Sequence, residues 1–361
     1  MPDTLAPRSL DFLKRLLSTP GPSGFETAAA RVWRDETKSF ADDVSVDVAG
    51  NSFAAVNPKG HPRIMLTGHI DEIGFMVTHV DNDGFLYFQP IGGWDSQVVV
   101  GQRVEVLGAD GPVVGVVGKR AIHLMKKEER DKVSHFDDLW IDIGAASKKE
   151  ALKRVAVGDA AVLQADVQEF PNGRIVSRSV DNRIGAFIVA EALRVVARAR
   201  KRLVAAVYAV ATTQEEIAYH GGGARSGSTG LDPQVALVVD VTHATDYPGA
   251  EKKTQGEHKL GGGPVLTRGS STNARVFELL RKTADRGKIP YTVQAAPIQT
   301  STDADVIATA ARGIATGLVS VPNRYMHSPN EMVAVADLAR AARLLAAFAL
   351  AVGPKTDFRP A

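Results

Sequence analysis

Between residues 75 and 165 the sequence changes texture. Short runs rich in β-branched and aromatic residues, at 85–88, 98–100 and 113–117, are separated by the turn signals Asp83-Gly84, Gly92-Gly93 and Asp110-Gly111. On either side the spacing is that of alternating strands and helices. Upstream, Ser9 is placed to cap a helix with Leu10, Leu13, Leu16 and Leu17 on one face, ended by Pro20-Gly21-Pro22-Ser23-Gly24. A second helix is predicted over 26–39 and a buried strand over 63–71. Downstream, strands are predicted over 203–211, 235–239 and 317–321, with helices over 273–286 and 336–352. Such alternation implies an α/β sheet covered on both faces. The β-rich stretch therefore reads as an insertion, 75–165, in one α/β domain built from 1–74 and 166–361. A chain of 361 residues suits two domains at roughly 150 residues each.

Composition narrows the chemistry. There is no cysteine, which excludes disulfides, iron-sulfur clusters, thiolate zinc sites and a cysteine nucleophile, so any metal must be held by His, Asp and Glu. Lys plus Arg number 43 against 41 Asp plus Glu, with no long block of like charge, which argues against nucleic acid as a partner. No uninterrupted apolar stretch reaches the roughly 18 residues of a membrane span. Asp3, Arg8, Asp11, Lys14 and Arg15 break up the first turns, so no secretion signal is read there and the expected compartment is the cytoplasm.

Five places put metal-type ligands just beyond an apolar run: His69-Ile70-Asp71, Asp181-Asn182-Arg183 ahead of an apolar helix, Gln214-Glu215-Glu216, Asp240, and His327 in Tyr325-Met326-His327-Ser328-Pro329. Taken singly each has an ordinary explanation, such as a solvated strand end or a helix-capping Asp. Taken together they point elsewhere, because the carboxyl ends of strands in an open α/β sheet lie along one edge, where ligands bind. Two imidazoles and three carboxylates converging there, with Glu215 left over, suit two metal ions sharing a water. Adjacent carboxylates on an extended segment point in different directions, so Glu215 and Glu216 can serve different roles.

These segments resemble a known family. Thr67-Gly68-His69-Ile70-Asp71-Glu72-Ile73-Gly74-Phe75, Asp181-Asn182-Arg183, Thr213-Gln214-Glu215-Glu216, Asp240-Val241-Thr242-His243-Ala244 and Arg324-Tyr325-Met326-His327-Ser328-Pro329 look like the motifs of the tetrahedral, glutamyl and deblocking aminopeptidases, some of which are labelled endoglucanase. The likeness runs in order through nearly the whole chain, including Asp138-Leu139-Trp140-Ile141-Asp142-Ile143-Gly144-Ala145. The resemblance implies a phosphorylase/hydrolase-like three-layer α/β catalytic domain with an inserted small β-barrel-like dimerisation domain. It implies that His69 and Asp240 bind one ion, Glu216 and His327 the other, and Asp181 both. Glu215 matches the family's general base and Asp71 the acid that orients the ligating imidazole.

The pattern is broken in two places. After Glu216 the family continues with a Val-Gly-Leu-Arg-Gly-like run, whereas this chain has Ile217-Ala218-Tyr219-His220-Gly221-Gly222-Gly223-Ala224; Ser301-Thr302-Asp303-Ala304 stands where a Gly-Gly-Thr-Asp-Ala-like stretch is usual. Tyr219, His220, Thr302 and Asp303 are therefore candidates for the substrate pocket. The expected function is a hydrolase removing N-terminal residues from short peptides, with two divalent ions per subunit, zinc or cobalt or else manganese, and self-association to dimers and a dodecamer. A related metal-dependent amidase or deacylase, or a glycosidase, are the alternatives.

Overall fold

The computed structural model describes residues 4–217 and 222–359. Its centre is an eight-stranded mixed sheet in the order Asp43–Val46, Ser52–Val56, Ala206–Thr212, Arg63–His69, Val235–His243, Ala315–Asn323, Val265–Gly269, Thr292–Ala296. The four strands from Ala206–Thr212 to Ala315–Asn323 run parallel, and they are the ones that carry site residues.

Side chains alternate across this sheet as its period of two requires. Ile64, Leu66, Leu237 and Val239 face a core shared with helices Pro7–Ser18, Thr27–Thr37, Val180–Arg198, Ala274–Gly287 and Val335–Ala351. Met65, Ala236 and Val238 face a smaller core with Gly222–Leu231 and Asp303–Thr309. Three layers result: helices, sheet, helices. Close approach of the first helical layer depends on Gly68, where a Cβ would lie 2.5 Å from the carbonyl carbon of Gly185. Gly68→Ala is expected to cost about 1–3 kcal/mol, because the clash is with helix backbone that cannot step aside. A lowered midpoint in chemical denaturation measures it.

Six further strands, Gly74–Val80, Leu86–Ile91, Leu139–Asp142, Gly111–Lys119, Arg103–Gly108 and Ala160–Leu163, close into a barrel in that order. Its core, including Phe75, Phe88, Val104, Val106, Leu139, Ile141 and Leu163, is drawn only from this stretch of chain. The loop after Leu86–Ile91 reaches back toward the sheet. Trp94 stacks on Phe75 at 4.8 Å and donates to the Gly74 carbonyl at 3.0 Å, while Gly93 lies so close to His327 that a Cβ there would be 3.4 Å from its Nδ1.

Three local expectations are corrected. The first helix starts at Pro7, so Ser9 lies inside it; its hydroxyl is buried and donates to Glu191 at 2.8 Å instead of capping. The run at 98–100 is no strand: Asp95 accepts from the Gln97 N–H and winds Ser96–Val98 into a 3₁₀ turn. The strand predicted to stop at 239 continues to His243, because Ala315–Asn323 pairs with it as far as His243 opposite Asn323. Asp240 is therefore a residue within a strand. Among the described residues no helix is long and apolar enough to cross a membrane.

Candidate metal centre

Sheet register brings the segments together. His69 ends its strand opposite Thr212 of the parallel neighbour, so the chain leaving Thr212 delivers Glu215 and Glu216 beside it. On the other side, pairing with Arg63–His69 stops at Thr67 opposite Val238, and Asp240 follows just beyond. Asp181 lies in the first turn of Val180–Arg198, where it and Asn182 depart from helical geometry (φ −78°, ψ 108° and φ −123°, ψ 41°). Asn182 donates to the Val239 carbonyl at 2.8 Å and so fixes this turn against the strand that carries Asp240. His327 follows strand Ala315–Asn323 with φ +58°, a left-handed conformation uncommon outside glycine.

Asp181 stands between the two imidazoles. Its Oδ1 is 3.3 Å from His69 Nε2 and its Oδ2 is 3.5 Å from His327 Nε2. Glu216 Oε2 is 3.4 Å from His327 Nε2, whereas Glu215 Oε2 and Asp240 Oδ1 are 3.6 Å and 3.9 Å from His69 Nε2. Three overlapping groups, His69-Asp181-Asp240, His69-Glu215-Glu216 and Asp181-Glu216-His327, each place possible ligand atoms within 4.8 Å of one another.

Asp71 lies behind them, fully buried. It is 3.3 Å from His69 Nδ1, accepts from Ser23 Oγ at 2.5 Å, and accepts the N–H groups of Glu215 at 3.2 Å and Glu216 at 3.1 Å. One carboxylate thus stands beside an imidazole and holds the backbone of both glutamates.

Burial and crowding shift the charges of this cluster. Burial, opposed by His69 but reinforced by the neighbouring acids, pushes Glu215 and Asp240 well above the usual carboxylate range; burial and Asp181 raise Glu216. Burial works against a charge on His327, yet Asp181 and Glu216 push it up to about 11. Asp71 stays below the usual range despite burial, held there by His69 and by the hydrogen bonds it accepts. Glu216 Oε1 is buried with no hydrogen-bond partner among the described residues. Imidazole nitrogens and crowded carboxylate oxygens with an unpaired acceptor are a donor set that fits a divalent metal ion.

Of the substrate-pocket candidates, Asp303 is buried, accepts from Thr212 Oγ1 at 2.6 Å, and is pushed by burial up to about 6. Thr302 caps the helix that begins at Asp303, accepting from the Ala304 N–H at 3.1 Å. Tyr219 and His220 lie outside the described residues.

Several contributors escaped the sequence reading. Glu331 accepts the N–H of Asp181 at 2.9 Å through one oxygen and that of His327 at 2.8 Å through the other. Arg183, fully buried, binds the carbonyls of Leu16 at 2.7 Å, Thr19 at 2.6 Å and Ile70, and Glu72 at 3.0 Å; Arg178 also pairs with Glu72. The peptide between His69 and Asp71 is thereby tied to the end of the first helix. Glu72 and Arg183 stood in the quoted motifs, but nothing in spacing alone says that they meet.

The sequence pattern of the M42 glutamyl aminopeptidase family matches residues 50–344. The lysyl aminopeptidase of Pyrococcus furiosus is 32% identical over 354 residues, covering 97% of this chain and 99% of its own. Among solved structures, a TET aminopeptidase from a marine-sediment Thaumarchaeota archaeon superposes with a TM-score of 0.91 at 33% identity, covering 96% of this chain and 97% of its own. The TET1 peptidase of Pyrococcus horikoshii, described as able to assemble into a tetrahedron or a large octahedral shell, gives 0.83 at 30% identity, covering 95% and 100%. The three-layer fold and its barrel are thus shared with the TET peptidases, and by sequence pattern and whole-length relatives alike the chain belongs to the M42 glutamyl aminopeptidase family.

Proposed function

We propose that this chain is a di-metal aminopeptidase that removes N-terminal residues from short peptides. The observation that carries the reading is Asp181, whose two oxygens face the Nε2 atoms of His69 and His327 from opposite sides. His69 and Asp240 would hold one ion, Glu216 and His327 the other, with Asp181 common to both. Bound ions would polarise the scissile carbonyl and ease deprotonation of a water at the site. Glu215, which this assignment of ligands leaves over, accepts the proton of the attacking water and hands it to the leaving amine. Asp71 fixes the ring direction of His69 and, through their N–H groups, the separation of Glu215 and Glu216.

Metal removal tests this. Dialysis against a chelator is expected to abolish hydrolysis of aminoacyl chromogenic amides, and zinc, cobalt or manganese to restore it. Activity that survives complete loss of metal would end this reading.

Self-association through the barrel, 75–165, belongs to the same proposal, supported by the shells of the Pyrococcus horikoshii relative. Light scattering behind size exclusion is expected to give a mass well above the 38.4 kDa of one chain. A fully active monomer at micromolar concentration would refute it.

A further inference from the structure

The fold places one buried acid where it controls two proposed ligands at once. Glu331 opens the strand Glu331–Ala334, which pairs antiparallel with Arg174–Ser177, Glu331 standing opposite Ser177. The chain leaving Ser177 runs directly to Asp181, and the chain entering Glu331 comes directly from His327. The small sheet therefore clamps both segments on either side of the Glu331 carboxylate, which is only 2% exposed. Both its oxygens are used, by the N–H of Asp181 at 2.9 Å and the N–H of His327 at 2.8 Å.

Neither of those N–H groups has a regular partner to fall back on. Asp181 lies in the first turn of a helix, where backbone donors have no intrahelical acceptor, and its own dihedral angles are not helical. His327 is held at φ +58°, a conformation that persists only when its surroundings impose it. A carboxylate with both oxygens engaged by backbone is no longer a ligand, but it sets where two ligands stand.

We infer that Glu331 is a positioning residue for the ion held by Glu216 and His327, acting by fixing the backbones of Asp181 and His327 through its two oxygens. This rests on the two-ion reading above. An amide in its place keeps one acceptor and turns the other end into a donor, which faces an N–H it cannot bind. Both N–H groups belong to proposed ligands of the Glu216–His327 ion, and only one to a ligand of the His69–Asp240 ion, so the former ion is the one that suffers.

The test is titration of metal-free protein with cobalt, followed by visible absorption and by metal analysis, for wild type, Glu331→Gln and Glu331→Asp. Wild type is expected to take up two ions. Glu331→Gln is expected to bind the second about 10–100-fold more weakly, as loss of an outer hydrogen-bond partner typically does, with a changed absorption band for that ion alone. Glu331→Asp, which keeps two acceptors, is expected to retain the second ion better than the isosteric amide. Equal binding by wild type and Glu331→Gln, better retention by Gln than by Asp, or failure of both variants to fold would each overturn the assignment, the last by showing that Glu331 serves the fold. Wild type that binds no cobalt would instead bring down the two-ion reading, and this inference with it.

Discussion

Glu215→Gln is expected to lower kcat by about 10²–10⁴ while leaving two ions in place, since that is the usual contribution of a positioned general acid–base group. Glutamine has nearly the shape of glutamate but cannot take a proton from water near neutral pH. The neighbouring change gives the opposite signature. Glu216→Gln is expected to lose one ion, because Glu216 Oε2 stands 3.4 Å from His327 Nε2 and its Oε1 has no hydrogen-bond partner among the described residues. Turnover and metal content measured on the same preparations separate the two. Near-normal turnover in Glu215→Gln, or loss of metal from it and not from Glu216→Gln, would reverse the assignment.

Asp181→Ala is expected to strip both ions. It removes a carboxylate whose oxygens stand 3.3 Å and 3.5 Å from the two imidazoles, so each proposed ion loses a direct ligand. The loss of affinity is expected to exceed the roughly 10–100-fold that follows removal of an outer partner. His69→Ala and His327→Ala should each empty mainly one site. Metal analysis after gel filtration gives the result, and an Asp181→Ala protein still carrying two ions would mean that another group bridges them.

Much of this centre was readable in the sequence because an apolar run followed by a ligand-type residue is what the end of a buried strand looks like. His69 and the Glu215-Glu216 pair obey that rule directly. Asp240 obeys it less directly: it is not a strand end, but the pairing with Arg63–His69 stops before it, which leaves it at the same edge. Asp181 also has a capping Asp as its ordinary explanation, but it is the neighbouring Asn182 whose Oδ1 accepts the Gly185 N–H at 3.0 Å. What spacing could not disclose is long-range company. Arg183 finds its carbonyl partners at Leu16, Thr19 and Ile70, and Glu331 bonds Asp181 across 150 positions of chain. Such contacts depend on the finished topology and leave no periodic trace. The misread run at 98–100 is the converse case, in which a β-branched pattern yields to a single side-chain acceptor at Asp95.

The strand topology also sets an order of arrival during synthesis. Every strand of the barrel, from Gly74 to Leu163, lies in one uninterrupted stretch, so all its hydrogen-bonding partners are present as soon as that stretch has left the ribosome. The strand that ends in His69 is made earlier but waits far longer. Its neighbours are Ala206–Thr212 and Val235–His243, and the proposed ligand set is complete only when His327 emerges. Between the emergence of Leu163 and that of the strand Val235–His243, the half-made peptidase therefore has every strand of its barrel beside a sheet whose central positions are unfilled. A nascent chain of this kind has no assembled cutting site to turn on its surroundings until His327 has been made.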